Sequence, residues 1–404
     1  MTKKERTIAK LVVISIIISE LMFSNTMIVL FGLLSLLTAA IISYRDGKTS
    51  GIRNKKTLLL IVILLIQQIF VSIIHGSIQN NIITIFLLFS QIISILVIVD
   101  KNRHKNMTNL IMEYLTKITV LLSVYLIIVY IFGQKNQTYN ANLGIYTQNM
   151  DLFGIKLAQS SIGGDVLGTY NVGSLLKNPN TMSFFSTISI YYLSLNKTRK
   201  KTKTISLLIL LAATLLSGSR LAIALVAALP LVVALIRLHE TKKMKQIQGF
   251  IPIILLISII ILATSGIGSE IKNINYNGRL ERWRVGIENI SLFGRGLKTD
   301  IDVLNNANII NTSMHNSYIS LAINFGIVTS LIYLSLTIFA IIKSKGINKP
   351  RKLIILLLLL VISLSESSFM FYCGFNALIF LFLFSIIDKQ EGYINENQYK
   401  KQAA

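Results

Sequence analysis

GRLERWRVGIENISLFGRG, Gly278 to Gly296, and HNSYISLAINFG, His315 to Gly326, bracket a polar excursion in an otherwise apolar chain. Arg279, Arg282, Arg284 and Arg295, the only tryptophan (Trp283) and one of the four histidines lie inside it. Leu280, Trp283, Ile287 and Ile290 recur at spacings of three, four and three. That is the apolar stripe of a short helix, and Gly278 with Glu281 three residues on is a weak start signal for it. The pattern predicts a helix on a membrane interface with Trp283 at headgroup level. The second stretch enters a long apolar helix. Guanidinium groups kept on one polar segment of a lipid-soluble chain point to an anionic ligand.

The chain has 404 residues, of which 53% are hydrophobic, and a mean hydropathy of +0.65. The apolar residues come in long blocks, so the reading is an all-α polytopic membrane protein. A single cysteine, Cys373, excludes a disulfide framework and a cysteine-rich metal site. Four scattered histidines without an HExxH pattern argue against zinc, and neither metal nor cofactor is expected. The net charge of +23 suggests nucleic acid at first sight. The charges, however, fall in short clusters between apolar blocks, the mark of cytoplasmic loops, and no nucleic-acid partner is expected. The first block is followed at once by a second without a small-residue cleavage site, so no cleavable signal peptide is read.

A span needs about 20 apolar residues. Twelve blocks approach this, at roughly 8–23, 26–43, 57–74, 82–99, 110–132, 179–195, 204–217, 220–236, 250–266, 316–341, 353–367 and 369–387. Residues 1–387 form one integral membrane domain in this reading, and 388–404 a cytoplasmic tail. If alternate loops are assigned inward, those on the inner side carry 29 of the 40 lysines and arginines and those on the outer side 10. Lys117, inside the fifth block, can snorkel. The bias places both termini in the cytoplasm. Two long loops, 133–178 and 267–315, then lie outside. The first is polar and glycine-bearing; it ends in KNPN, where Asn178 or Asn180 can cap the sixth helix.

Outer-side arginines run against that bias. Arg220 follows a Ser-Gly-Ser turn at the start of the eighth span and suits either an interfacial snorkel or a fixed guanidinium for phosphate. Arg279 and Arg282, three apart, share a helix face; headgroup contact is an equal reading for Arg282, Arg284 and Arg295. His315, at the outer mouth of the tenth span, can accept a hydroxyl proton near pH 7, although a lone histidine is more often structural. Glu366, at the outer end of the eleventh span, is costly there unless paired; it can orient His315, pair with an arginine or face water. Glu20, Lys117, Gln67, Gln68 and Gln91, polar residues within apolar blocks, are read as packing or snorkelling groups. Topology alone puts Arg220, His315 and Glu366 at one membrane depth, with Arg279 above them.

These residues resemble the polysaccharide polymerase and O-antigen ligase superfamily of bacterial envelopes. The resemblance rests on GSR at Gly218 to Arg220, GRLERW at Gly278 to Trp283, LFGRG at Leu292 to Gly296, HNSY at His315 to Tyr318 and NFGI at Asn324 to Ile327, in that order. It covers about 178–387; Ser291 stands where the family pattern has a proline. It implies a GT-C-like, metal-independent transferase at the outer face of the cytoplasmic membrane. The donor would be an oligosaccharide on undecaprenyl diphosphate, transferred with inversion to build capsule, exopolysaccharide or O-antigen. The partners implied are that lipid-linked donor, the bilayer, a flippase and a chain-length regulator. Arg220 and Arg279 are the implied diphosphate ligands, His315 the base and Glu366 its orienter. Arg282, Trp283, Asn316 and Tyr318 are further substrate-binding candidates. Two alternatives stay open: a ligase that moves finished glycan to another acceptor, and a transporter such as a lipid-linked glycan flippase.

Overall fold

The computed structural model describes residues 2–21, 26–46, 55–75, 78–102, 107–133, 138–140, 145–152, 155–163, 170–196, 200–240, 279–297, 299–309, 314–343, 349–365 and 374–387. The chain is mostly helical. The helices are α1 (Lys3–Glu20), α2 (Thr26–Asp46), α3 (Lys55–Ile74), α4 (Ile78–Lys101), α5 (Met107–Phe132), α6 (Pro179–Leu195), α7 (Lys200–Ser217), α8 (Arg220–Glu240), α9 (Arg279–Glu288), α10 (Thr299–Asn306), α11 (Ser317–Lys343), α12 (Lys349–Ile362) and α13 (Gly374–Ile387). Within the described residues, eleven of the twelve apolar blocks overlap these helices. The block at 250–266 lies outside the described residues.

Among the described residues, four helices are long and apolar enough to cross a membrane: Thr57–Ile74, Thr84–Lys101, Met107–Phe132 and Ser317–Ile342. Shorter apolar helices run at Leu30–Arg45, Thr202–Ser217, Arg220–Ala234 and Asn376–Ile387. On α3 only 22% of the apolar window is buried inside the protein. Leu59, Ile63, Ile66, Phe70 and Ile73 are exposed. A run of aliphatic side chains with no protein cover is stable in hydrocarbon, not in water.

The core lies between α1, α2, α4, α5, α6, α12 and α13. α1 starts with a capping box: the Thr2 hydroxyl accepts from Glu5 N (3.2 Å), and Thr2 N donates to the Glu5 carboxylate (3.0 Å). α6 is buried along almost its whole length and packs on α5, α7, α8 and α12. Of the two predicted caps for α6, Asn178 is the one used: its side chain accepts from Asn180 N at 2.8 Å, with Pro179 in the first turn.

The all-α reading lacked one element. Loop 133–178 carries an antiparallel meander, β1 (Thr138–Asn140), β2 (Ile145–Leu152), β3 (Ile155–Gly163) and β4 (Tyr170–Val172), paired in that order. Its buried positions include Thr147, Gln148, Gln159, Ser160 and Ser161, so the apolar alternation that signals a strand is absent. Polar pairing replaces it: Gln159 Nε2 donates to Gln148 Oε1 across β2 and β3 at 2.8 Å. The sheet rests on the bundle through Tyr125, whose hydroxyl donates to Ala158 O (2.8 Å), and Ser174, whose hydroxyl donates to Leu122 O (2.8 Å). At the same end, Lys177 N donates to Glu20 O (2.9 Å). There too Gly218, with φ +70°, backs against the Asn171 side chain, so that a Cβ would collide with it. The ends of α1, α5, α6, α7 and α8 that the charge pattern assigns outward therefore meet at one end of the bundle.

Candidate active site

α11 is the element that positions the site. Its first turn is capped by Asn316, whose Oδ1 accepts from Tyr318 N (3.0 Å) and Ile319 N (3.2 Å). Ser317 N donates to Ser363 O (2.8 Å), and the Tyr318 hydroxyl donates to Leu360 O (2.8 Å). The mouth of α11 is thereby held against the end of α12. Between Met314 and Asn316 the chain turns through His315 at φ +48°, a left-handed conformation that costs a residue with a Cβ energy and persists only where its surroundings hold it. His315 is half-buried, with Nδ1 inside the protein.

α9 forms as the spacing predicts, and it meets the protein through Arg282 and Gly286. Arg282 and Gly286 are buried, whereas Leu280 and Ile287 are exposed. The cause is Gly286, which lets the helix settle on Met314 and Ile319: a Cβ there would lie 2.6 Å from Ile319 Cγ2 and 2.9 Å from Met314 Sδ. Trp283 is anchored in the protein, with its indole N–H donating to Met314 O at 2.9 Å. Trp283, Val285 and Ile290 pack with Val303, Leu304, Met314 and Ile323 in a small core of their own. Arg279 and Arg282 thus stand on a helix fastened to the residue before His315. Burial, and next the neighbouring Arg279, lower the Arg282 pKa, while Glu281 opposes this; a guanidinium stays charged regardless. A nearby anion would oppose both effects, because an opposite charge favours the charged form.

Below this mouth α11 is broken. Gly326 has φ +86°, so the bonds expected from Ile327 N to Ile323 O and from Val328 N to Asn324 O are not made within the helix. The Ser291–Gly296 strap takes all four freed groups. Ile327 N donates to Ser291 O (3.1 Å) and Val328 N to Leu292 O (3.2 Å), while Arg295 N donates to Ile323 O (3.0 Å) and Gly296 N to Asn324 O (3.1 Å). Gly294, also at φ +86°, meets Gly326 backbone to backbone, and a Cβ on either would clash. Gln67 of α3 donates to Phe293 O (3.1 Å) and Phe325 O (3.2 Å). Gln67, expected to be a packing group, is therefore a specific partner of the break.

The residue that sequence reading missed is Asp300, in the first turn of α10. It is buried at 8% exposure. Its carboxylate accepts from the Ser320 hydroxyl (2.8 Å) and Asn324 Nδ2 (3.1 Å), and its own N–H donates to Asn324 Oδ1 (3.1 Å). Burial raises its pKa, and the hydrogen bonds from Ser320 and Asn324 oppose that rise. The sequence signal available was a pair of acids, Asp300 and Asp302, opening a short helix.

The other candidates are distributed as follows. Arg220 is exposed at the first turn of α8. It relates to the His315 group through α12, on which both α8 and the mouth of α11 rest. Asn316 and Tyr318 spend their side-chain oxygens on the cap and on Leu360. Glu366 and Gly278 lie outside the described residues. Among the described residues, no group of three or more His, Cys, Asp or Glu is placed to hold a metal ion.

Residues 205–334 match the family described as O-antigen ligase. Over this segment, 130 of the 404 residues, the chain is similar to O-antigen ligases. The match spans α8, α9, α10, most of α7 and two-thirds of α11, and it contains Arg220, Arg279, Arg282, Trp283, His315, Asn316 and Tyr318. Glu366 falls beyond it. No curated protein and no solved structure matches the chain. The long apolar helices, with aliphatic faces left uncovered by protein, make this an integral membrane protein.

Proposed function

We propose that the protein is a polymerase that joins undecaprenyl diphosphate-linked oligosaccharide units at the outer face of the cytoplasmic membrane. The observation that supports this reading is the hydrogen bond from Trp283 to Met314 O, which fastens the helix bearing Arg279 and the buried Arg282 to the residue before His315. In the reaction the acceptor hydroxyl attacks the anomeric carbon, and the bond from that carbon to the diphosphate oxygen breaks. His315 takes the hydroxyl proton. Arg220, Arg279 and Arg282 face the charge that grows on the departing diphosphate, so they stabilise the transition state more than the ground state. Attack opposite the leaving group inverts the anomeric centre, and no step requires a metal. Glu366 orients His315 in this scheme, and the twelve-span topology with both termini inside sets the outward direction. A flippase supplies the donor, and a chain-length regulator limits the product.

The test is the polymer ladder of cells carrying Arg279→Ala or His315→Ala at normal protein level. Loss of one electrostatic stabiliser lowers the rate by about two to three orders of magnitude, so single units should replace long polymer. Full-length polymer from both variants would overturn the residue assignment. The O-antigen ligase match also favours a second reading, transfer of finished glycan to another acceptor. In a deletion strain a missing polymerase leaves lipid-linked single units; a missing ligase leaves lipid-linked long chains.

A further inference from the structure

We propose that α9, the Ser291–Gly296 strap and α10 form a re-entrant hairpin whose tip, Leu292 and Phe293, is immersed in the hydrocarbon of the leaflet on the His315 side. Their partners on α11 trace a descent and a return. Gly286 of α9 lies against Ile319, in the first turn of α11. Further along the same helix, Ser291 O and Leu292 O accept from Ile327 N and Val328 N, and Arg295 N and Gly296 N then donate back to Ile323 O and Asn324 O. Asp300 bonds to Ser320 and Asn324, and Leu304 packs in the small core with Met314 and Trp283. At 1.5 Å per residue, Val328 lies roughly 16 Å from the mouth at Ser317. α3 measures the depth independently. Gln67 donates to Phe293 O at 3.1 Å and accepts from the Thr329 hydroxyl at 3.5 Å. It lies seven residues, or roughly 10 Å, inside the end of the apolar window Thr57–Ile74. That window of 18 residues is close in length to a hydrocarbon core of about 30 Å.

The surface and the backbone of the tip both suit this place. Leu292 and Phe293 are more than half exposed. Ile66 and Phe70, beside Gln67 on α3, are exposed as well, so the uncovered apolar face of a spanning helix continues onto the tip. Below the tip an apolar groove of about 630 Å³ begins at Val328, lined also by Leu60, Leu331, Leu336 and Phe339. A continuous surface of this kind fits lipid chains and not water. Irregular backbone survives in hydrocarbon only where protein meets its polar groups. Here the carbonyls of Ser291, Leu292 and Phe293 and the N–H groups of Arg295 and Gly296 are met by α11 and Gln67. The Arg295 guanidinium reaches back to Asn289 Oδ1 (3.1 Å), beyond the end of α9, as a cation does when it draws away from hydrocarbon. The sequence placed the membrane contact of this segment at Trp283. That ring is tied to Met314 instead, and the contact falls to Leu292 and Phe293.

The test involves no glycan, so its outcome is separate from that of the proposed reaction. In a Cys373→Ser background, Leu292→Cys and Phe293→Cys are each labelled in detergent with the environment-sensitive fluorophore nitrobenzoxadiazole, and the full chain is reconstituted in phosphatidylcholine vesicles. Ile66→Cys on α3 is the benchmark for lipid and Tyr146→Cys on β2 the benchmark for water. Both tip positions are expected to follow Ile66: emission shifted to the blue, lost to phosphatidylcholine that carries a nitroxide on its acyl chain, and indifferent to iodide. Quenching by iodide, as at Tyr146, would overturn the proposal. Resistance to both quenchers would overturn it too, because protein and not lipid would then cover the tip. The two positions are read separately, so a variant that elutes as aggregate leaves the other as the test.

Discussion

Asp300 shows how one buried acid fixes the loop that carries the candidate site. Its partners, Ser320 and Asn324, are neutral, so the carboxylate gains hydrogen bonds but no countercharge. Asp300→Ala strands two buried donors on α11, at about 1–3 kcal/mol each, and should lower the unfolding midpoint of the purified protein. Asp300→Asn keeps the shape and should cost far less. The pKa is raised in the folded state, so the sign is opposite to the common aspartate case. The stabilisation from this group is fully present below the unfolded value of about 3.9 and is lost as pH rises through the raised folded value. Asp300→Asn should flatten that part of the stability profile, seen in unfolding curves across pH. In the sequence Arg220, Arg279 and His315 stood out because charge is rare in an apolar chain. Asp300 did not, because its partners lie 20 and 24 residues away and no local pattern marks such a pair.

The strap and the break in α11 operate at the scale of elements. Gly326 lies nine residues into α11, roughly 14 Å below its mouth, where unpaired backbone groups cost several kcal/mol each in hydrocarbon. The strap and Gln67 meet that demand. Gly326→Ala should cost at least about 1–2 kcal/mol from the left-handed backbone alone, before the collision with Gly294, and should be read as a lowered unfolding midpoint. Gln67→Leu deprives two carbonyls of a donor and should cost about 1–3 kcal/mol, although the substitution is apolar and lies in an apolar helix. A Gln67 that only packs would show no such loss. The helices themselves were legible, since each apolar block has its own period and length. The strap was not: its partners are peptide groups, and peptide groups are the same whatever the side chain. The sheet was hidden for the converse reason, because Gln148 and Gln159 occupy strand positions where apolar residues normally announce the fold.

At the scale of the whole molecule, two ends of one bundle carry opposite assignments. One collects the sheet, the Gly218 turn and the mouth of α11. The other collects Asn102, whose Nδ2 donates to Ser43 Oγ at 3.0 Å, and the start of α12, where Arg351 and Lys352 line a small cavity with Asn109 of α5 and Tyr192 of α6. Alternation of loop charge assigns the first end outward and the second inward, because orientation in a bilayer is set by basic residues counted loop by loop. A labelling experiment checks the direction. In a Cys373→Ser background, Tyr146→Cys, on an exposed strand position, should react with an impermeant maleimide added to intact cells. Lys4→Cys should react only after the membrane is opened. The reverse pattern would turn the molecule over and remove the outward-facing site.

The order in which a ribosome delivers the chain gives the mended helix a further meaning. Gln67 and the strap are synthesised before Gly326, so every group that completes the interruption is waiting when it emerges. The anchors of the histidine turn, Leu360 and Ser363, come later. A nascent chain halted before α12 would own a finished joint and a histidine turn held on one side only, by Trp283, so the second fastening waits for α12 to be translated.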